Sequence, residues 1–260
     1  MLRAMLFVSV IGKTVAVLLW TVASWRMAAV CCFFLPDLPI LHGIFVSSAR
    51  EVCHVFTRFK TDRHEVWLTI DDGPDEADTP RILDLLGRHN ARATFFLIGE
   101  RAARFPHLVS EILARGHDVG HHTHTHPVAA FWCATPARLR AELDDGLEAF
   151  RRAGASPRWF RAPVGIKSLF LAKELERRGL RCVGWSVRSL DSISRDPARV
   201  VLRVMRAVRP GSVVLMHEGS SLDSRVRVRA LELLLDQFAA RGICCVLPEA
   251  GQLRPASPHA

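Results

Sequence analysis

Thr69-Ile70-Asp71-Asp72-Gly73-Pro74 follows the apolar run Val66-Trp67-Leu68. A short apolar run bounded by Gly and Pro reads as a buried strand that ends in a turn. Adjacent strand residues point to opposite faces, but at a strand end the backbone can swing both carboxylates toward one place. Two acids at the mouth of a sheet suit a division of labour, one as metal ligand and the other as proton acceptor. A lone Asp-Gly-Pro is more simply an Asx-type turn closing a strand. The remainder of the chain decides between the two.

Downstream of Val66, strands and helices alternate. Strand candidates are Val66–Ile70, Ala93–Ile98, His117–Gly120, Trp159–Arg161, Arg181–Val187, Ser212–Met216 and Ile243–Leu247. Helices are expected near 80–89, 105–115, 136–153, 168–178, 197–208 and 226–240. Thr79-Pro80, Thr135-Pro136 and Asp196-Pro197 read as helix starts, and Gly116, Gly154, Gly179 and Gly242 as helix ends. Seven strands separated by helices predict a parallel sheet, closed or nearly closed into a barrel.

Barrel enzymes carry their chemistry at the C-terminal ends of the strands, where this chain places its polar residues. Asp71 and Asp72 end the first strand. Gly120-His121-His122-Thr123-His124-Thr125-His126-Pro127 follows the third, and Arg161-Ala162-Pro163-Val164-Gly165 the fourth. Asp191 follows the fifth, and Leu215-Met216-His217-Glu218 ends the sixth. His122 and His126 are four apart, so one helical turn would set both on one face. With a carboxylate they form a facial site with open positions for water. On spacing alone His121 and His124 are alternative ligands, whereas His117 reads as structural.

The chain has 260 residues, enough for one sizeable core and an appendage. Its formal net charge is +9, spread along helices without the aromatic-interleaved stripe that nucleic-acid binding requires. An anionic lipid or glycan surface fits the charge better. Seven cysteines, with two adjacent pairs and no C-x-x-C, exclude a disulfide framework and a thiolate zinc site, and lean toward a reducing compartment. Met1 to Leu35 is apolar apart from Arg3, Lys13 and Arg26, and Thr14–Leu35 is its best membrane span. Arg26 inside that span favours snorkelling, or two shorter pieces broken near it; a cleaved signal peptide is the rival reading. Pro36 to Phe45 is expected along the membrane surface. The division is then 1–50 membrane anchor or re-entrant segment, 51–253 catalytic domain and 254–260 loose tail, with the protein membrane-associated, at a bacterial inner membrane.

Thr69–Pro74, His122-Thr123-x-x-His126, Arg161-x-Pro163-x-Gly165, Trp185 with Asp191, and Leu215-x-His217 together resemble the polysaccharide deacetylase family, also called the NodB-homology or carbohydrate esterase family 4 domain. The resemblance covers Glu65 to Leu247, with the motifs in the family's order. It implies a distorted (β/α)7 barrel, here preceded by a hydrophobic membrane segment. It further implies that Asp72, His122 and His126 bind a divalent metal, zinc before cobalt, nickel or another ion. Asp71 becomes the general base, Arg161 its holder, His217 the general acid and Asp191 the partner of His217. The Val164 N–H would face the oxyanion, and Trp185 and Leu215 would shape the acyl pocket.

The implied activity is removal of an N-acyl group, acetyl foremost, from an amino sugar in a polysaccharide, oligosaccharide or lipid-linked glycan. Deformylation, O-acetyl ester hydrolysis and non-catalytic glycan binding at a membrane are the alternatives. The expected partners are the glycan or glycolipid and, through the N-terminal segment, membrane lipid. The chain departs from the family pattern at His121, His124, Val164 and Arg188. It also has no tyrosine, so sugar stacking falls to tryptophan or phenylalanine, with Trp132 a candidate.

Overall fold

The structure, a computed structural model, describes residues 1–219 and 223–255. Its strands are β1 (Val55–Phe59), β2 (Glu65–Asp71), β3 (Ala93–Leu97), β4 (Asp118–His121), β5 (Trp159–Phe160), β6 (Arg181–Val183), β7 (Val187–Arg188), β8 (Val213–His217), β9 (Cys244–Cys245) and β10 (Leu253–Pro255). They run in the order β10-β1-β6-β5-β4-β3-β2-β8-β7, with β9 paired to β2 off this path. Every pairing is parallel except that of β10 with β1. The ring is drawn together where Arg58 bridges Ser212 and the Phe59 N–H donates to Gly211 O over 2.9 Å. The architecture is a distorted α/β barrel, as the alternation of elements predicts.

Two strand assignments change. Ile243–Leu247, expected as a barrel strand, contributes only a two-residue edge on β2, and the seventh strand of the ring is β1. β1 alternates Phe56 and Arg58 with Thr57 and Phe59, a mixed pattern without a continuous apolar run. The single strand expected over Arg181–Val187 is two. β6 pairs with β1 and β5, the chain steps across at Gly184-Trp185-Ser186, and β7 pairs with β8. The tail expected to be loose from 254 is ordered at residues 254 and 255, because Leu253–Pro255 pair with β1; residues 256–260 lie outside the described residues.

The strand period of two sorts β2 into two faces. Val66, Leu68 and Ile70 pack outward in a core with Leu83, Leu86 and Leu234. Each such buried leucine contributes about 1.5–3 kcal/mol of apolar burial. Trp67 packs inward with Phe96, Trp159 and Val213. Thr69 and Asp71 share that inner face. Barrel register then sets Asp71 beside His217, and His121 beside Phe160.

The helices are α1 (Leu2–Trp20), α2 (Arg26–Phe34), α3 (Leu38–Phe45), α4 (Thr79–Arg88), α5 (Gly99–Arg104), α6 (Pro106–Ala114), α7 (Pro136–Arg152), α8 (Leu171–Glu176), α9 (Pro197–Ala207) and α10 (Ser224–Ala240). Thr135 and Asp196 cap α7 and α9 as expected. Thr79 does not cap α4: it is the first helical residue, and its hydroxyl donates to Glu218 Oε2 over 2.5 Å. The four helix-end glycines all have positive φ.

Of the two expectations for Thr14–Leu35, the chain forms two pieces broken near Arg26 and not one continuous span. The chain reverses at 21–25, immediately before Arg26, so α1 and α2 pack as a hairpin. The Arg26 guanidinium thereby lies 5.9 Å over the Trp20 ring at the turn. Lys13 reaches across the hairpin to Asp37 at 2.8 Å and bonds Ser9, on its own helix, at 2.7 Å. Leu2–Trp20 and Arg26–Phe45 are each long and apolar enough to cross a membrane. One side of α3 packs into the domain, with Ile40 and Ile44 buried in one core with Phe131, Leu139, Phe160 and Leu171, while Leu38, Leu41 and Phe45 are exposed.

Candidate active site

Strand alternation turns Asp71 into the barrel and would turn Asp72 away. Asp72 instead adopts φ 75°, a left-handed conformation that aspartate tolerates. Both carboxylates consequently reach the barrel mouth. Gly73 makes the next step possible, since a Cβ there would lie 1.8 Å from Glu218 Oε1.

His122 and His126 meet at this point, but not through a helical turn. The stretch is a loop in which Thr123 and His126 have φ 65° and 55°. Nε2 of His122 lies 3.4 Å, and Nε2 of His126 3.3 Å, from Asp72 Oδ1. One ligand atom from each of the three residues lies within 4.8 Å of the others. A separation near 3.3 Å is what two atoms each about 2.0–2.1 Å from a tetrahedral ion have. His122 Nδ1–H donates to the Arg161 carbonyl over 2.9 Å, which leaves Nε2 free for a ligand. The triad fits a divalent cation.

The electrostatics agree. Burial would raise the Asp72 carboxyl, but the bond and charge of His122, with the charges of His217 and His126, hold it well below the usual carboxylate range. Burial, helped by the His122 charge, lowers His126 to about 4, so its ring is neutral as ligation requires. At His122 burial acts downward, and the Asp71 charge and Asp72 overcome it. Two acids thus stabilise positive charge at the centre of the site.

Asp71 is held differently. Its Oδ1 accepts from Arg161 Nη1 at 2.6 Å, and its Oδ2 is 3.8 Å from His122 Nε2. Arg161 is itself buried, donating also to Thr69 Oγ1, Val183 O and Gly184 O at 2.8, 3.2 and 2.9 Å. Its guanidinium stacks 4.1 Å over Phe96 and 5.8 Å from the Trp185 ring. Across β2–β8, His217 Nδ1–H donates to Asp191 Oδ1 at 2.7 Å, and its backbone N–H to Asp191 Oδ2 at 2.7 Å. Ser189 Oγ donates to the same carboxylate at 2.6 Å. Burial would lower His217, but Asp191 by charge and hydrogen bond, with Asp71 and Asp72, raises it to about 9.

The remaining expected residues lie on the same rim. Val164 is exposed with φ 48° in the turn Pro163–Gly165, a strained conformation for a β-branched residue. Leu215 is buried on the inner face of β8, one pair from His217. Trp185 is half-buried at the β6–β7 step.

His121 and His124 are not part of the triad. His121 points into the core, its Nε2–H donating to Leu143 O and its Nδ1 accepting from the Thr123 N–H, both at 2.9 Å. Burial lowers it to about 4. The His124 ring lies against Gly99, where a Cβ would come within 2.6 Å of Nδ1. His117 Nδ1 accepts from the Ala93 N–H at 3.3 Å, the structural role read from sequence.

Glu142 and Arg101 at the site escaped the sequence reading, and Thr69 and Glu218 were quoted there without a role. Glu142 is buried and accepts from the N–H groups of His124 and Thr125 and from the Thr125 hydroxyl at 3.0, 2.8 and 2.6 Å. It sits among Leu139, Leu143, Gly146 and Phe150 on the buried face of α7, and an acid on an apolar stripe was the available signal. Arg101, on the unexpected helix α5, donates to Asp72 O at 2.7 Å. Thr69 buttresses Arg161. Glu218 is buried, and burial together with the Asp78 and Asp75 charges raises it to about 8 despite its bond from Thr79.

An α/β barrel whose strand ends present an Asp-His-His triad, an Arg-held aspartate and an Asp-held histidine has the architecture of a hydrolase. The polysaccharide deacetylase profile matches residues 58–183. A chitooligosaccharide deacetylase of Bradyrhizobium sp. is 39% identical over 189 residues, 68% of this chain and 85% of that one. A peptidoglycan-N-acetylglucosamine deacetylase of Bacillus cereus is 35% identical over 182 residues, 70% of this chain and 66% of that one. Among solved structures, the Bc1960 peptidoglycan N-acetylglucosamine deacetylase superposes with TM-score 0.68 at 32% identity, covering 73% of this chain and 88% of its own. A family 4 carbohydrate esterase from Streptomyces lividans, in complex with acetate, gives 0.66 at 30% identity, covering 75% and 97%. The chain belongs to the polysaccharide deacetylase family.

Proposed function

We propose that this chain is a carbohydrate deacetylase that removes the N-acetyl group from an amino sugar, with a divalent metal, zinc foremost, held by Asp72, His122 and His126. One observation carries the reading: adjacent aspartates have separate partners, Asp72 on the histidine pair and Asp71 on Arg161. A merely structural Asp-Asp turn needs no such separation. Domain by domain, residues 1–50 form a membrane anchor, 51–253 the catalytic unit, and the protein is membrane-associated.

When bound, the metal polarises the acyl oxygen and lowers the pKa of water toward about 7. Asp71, kept charged and aimed by Arg161, takes a proton from the attacking water. The carbonyl carbon becomes tetrahedral, and the Val164 N–H faces its oxygen; losing one such donor typically costs about 10²–10³-fold in rate. Trp185 and Leu215 confine the acyl methyl. His217, protonated to about pH 9, gives its proton to the amine nitrogen as the carbon–nitrogen bond breaks, and Asp191 keeps the ring oriented.

The test compares glycolipid and polysaccharide fractions, by mass spectrometry, from cells carrying the intact protein and cells carrying Asp71→Asn. A species that keeps one extra acetyl group in the mutant is expected. An extra formyl group, or an acetyl on oxygen, would move the assignment to those reactions. No difference, with the variant folded and metal-loaded, would favour glycan binding without turnover; a Bacillus anthracis family 4 pseudoenzyme, 27% identical with TM-score 0.65, has the same fold.

A further inference from the structure

The apolar hairpin stands at the rim of the active site, and its length fixes where that rim lies. α1 leaves the catalytic domain at Leu2 and Met5, which pack on the core shared by α3 and the barrel. Beyond Met5 its residues 6–20 reach about 22 Å, most of the roughly 30 Å of a bilayer's hydrocarbon. At the far turn stand Trp20, Trp25 and Arg26, residue types that sit at headgroup level. The outer surface between turn and base is apolar, with Phe7, Val10, Leu18, Met27 and Phe34 among its exposed residues. Lys13 and Asp37 neutralise each other within the hairpin, as charges in a membrane must. With the turn at one headgroup level, the other falls at the base, where α3 ends in Phe45.

That base is built into the catalytic rim. The Phe45 and Trp132 rings are 5.9 Å apart, and both are exposed. Trp132 belongs to the loop that begins at His126, where Val128 is also exposed. The next residues, Val46 and Ser47, offer their carbonyls to the buried Lys167 Nζ at 2.7 and 3.3 Å. A Cβ on Gly165 would lie 2.4 Å from Ser47 Cβ and 2.8 Å from Trp185. Thus the chain leaving the hairpin is part of the wall behind Val164.

We propose that Phe45, Val46, Val128, Trp132 and Val164 form one interfacial surface that rests on the bilayer, so that the site takes an amino sugar held at the membrane by an apolar carrier. This rests on the deacetylase and anchor readings above and narrows their substrate to an amphiphile. An aqueous polymer would gain nothing from an apolar rim at headgroup depth.

Two measurements on the full chain test it. The first, which needs no turnover, reconstitutes a Trp20→Phe/Trp25→Phe variant in phosphatidylcholine–phosphatidylglycerol vesicles carrying a nitroxide near the headgroup. Of the remaining tryptophans, Trp67 and Trp159 are buried and Trp185 half-buried. Quenching that disappears on adding Trp132→Phe is expected; absence of quenching at Trp132 overturns the proposal. If Trp20 and Trp25 of the unaltered chain also escape nitroxides at every depth, the anchor reading falls with it. The second compares Phe45→Ser with the unaltered protein on an alkyl N-acetylglucosaminide in vesicles and on a soluble N-acetylglucosamine oligosaccharide. The expected result is a loss of about tenfold in kcat/KM, or roughly 1.4 kcal/mol, on the vesicle substrate alone. Equal change on both substrates overturns the proposal. Inactivity of the unaltered protein on both would sink the deacetylase reading, while the quenching result still decides the seating.

Discussion

At the residue scale the site depends on giving like side chains unlike partners. His217 and His126 lie close to the same aspartates, yet one is raised to about 9 and the other lowered to about 4. The difference is Asp191, whose two oxygens both face His217. Because the folded pKa of His217 lies above its unfolded value, this pair's stabilisation is complete below about pH 6.5 and fades as pH rises through about 9. In the proposed reaction the proton that His217 would give to the leaving amine persists over the same range. Asp191→Asn removes the charge and leaves the burial. The alkaline limb of the kcat/KM–pH profile should therefore move to lower pH by at least about one unit. An unmoved limb would mean that another group limits the reaction at high pH. From its local sequence Asp191 is one aspartate in a polar loop; only the family resemblance paired it with His217, since nothing local to residues 189–193 indicates that His217 will stand opposite it.

At the scale of elements, the proposed metal triad depends on α7. The loop from Gly120 to Pro127 has two non-glycine residues at positive φ and no ladder of its own beyond β4. Glu142 supplies what the loop lacks, accepting two consecutive backbone N–H groups and a hydroxyl, with Arg138 at 2.6 Å on its outer oxygen. Glu142→Ala should weaken metal binding by about 10–100-fold, the usual cost of losing a residue that orients ligands. Competition titration against a chromophoric chelator measures it directly. Glu142→Gln, which keeps an acceptor oxygen, should recover part of the loss. An unchanged affinity in both variants would show that the loop holds itself. The histidine spacing was legible as a ligand pair, but the expected helical turn was not formed, because Thr123 and His126 both take left-handed backbone.

For the molecule as a whole, hairpin and barrel are joined through Lys167. Its ammonium is buried between the carbonyls of Val46, Ser47 and Gly165, at 2.7, 3.3 and 3.4 Å. Burial lowers its pKa below the ordinary lysine value, partly offset by neighbouring groups. Lys167→Met keeps the side chain's length and leaves three carbonyls without this donor. Charged hydrogen bonds contribute about 1.5–3 kcal/mol each, so a destabilisation on the order of 3 kcal/mol is expected in denaturant unfolding of detergent-solubilised protein. A variant as stable as the parent would show that the hairpin base is held by apolar packing alone. The residue is a lone cation in a mixed sequence, Gly165-Ile166-Lys167-Ser168, and carries no local sign of burial.

Sequence alone determined the alternation of strands and helices, the glycine helix ends, the polar residues at strand termini and the family. Those features depend on local period, on backbone chemistry at single residues and on motif order. Tertiary structure alone decided which strand completes the ring, because β1 closes it through Arg58 and Ser212, 154 positions apart. It also decided that the apolar N-terminus folds back at Arg26, and that His121, one of the four clustered histidines, faces the core while His124 lies outside the triad. Such choices depend on which surfaces meet across the fold, and neither hydrophobic period nor motif spacing encodes that meeting.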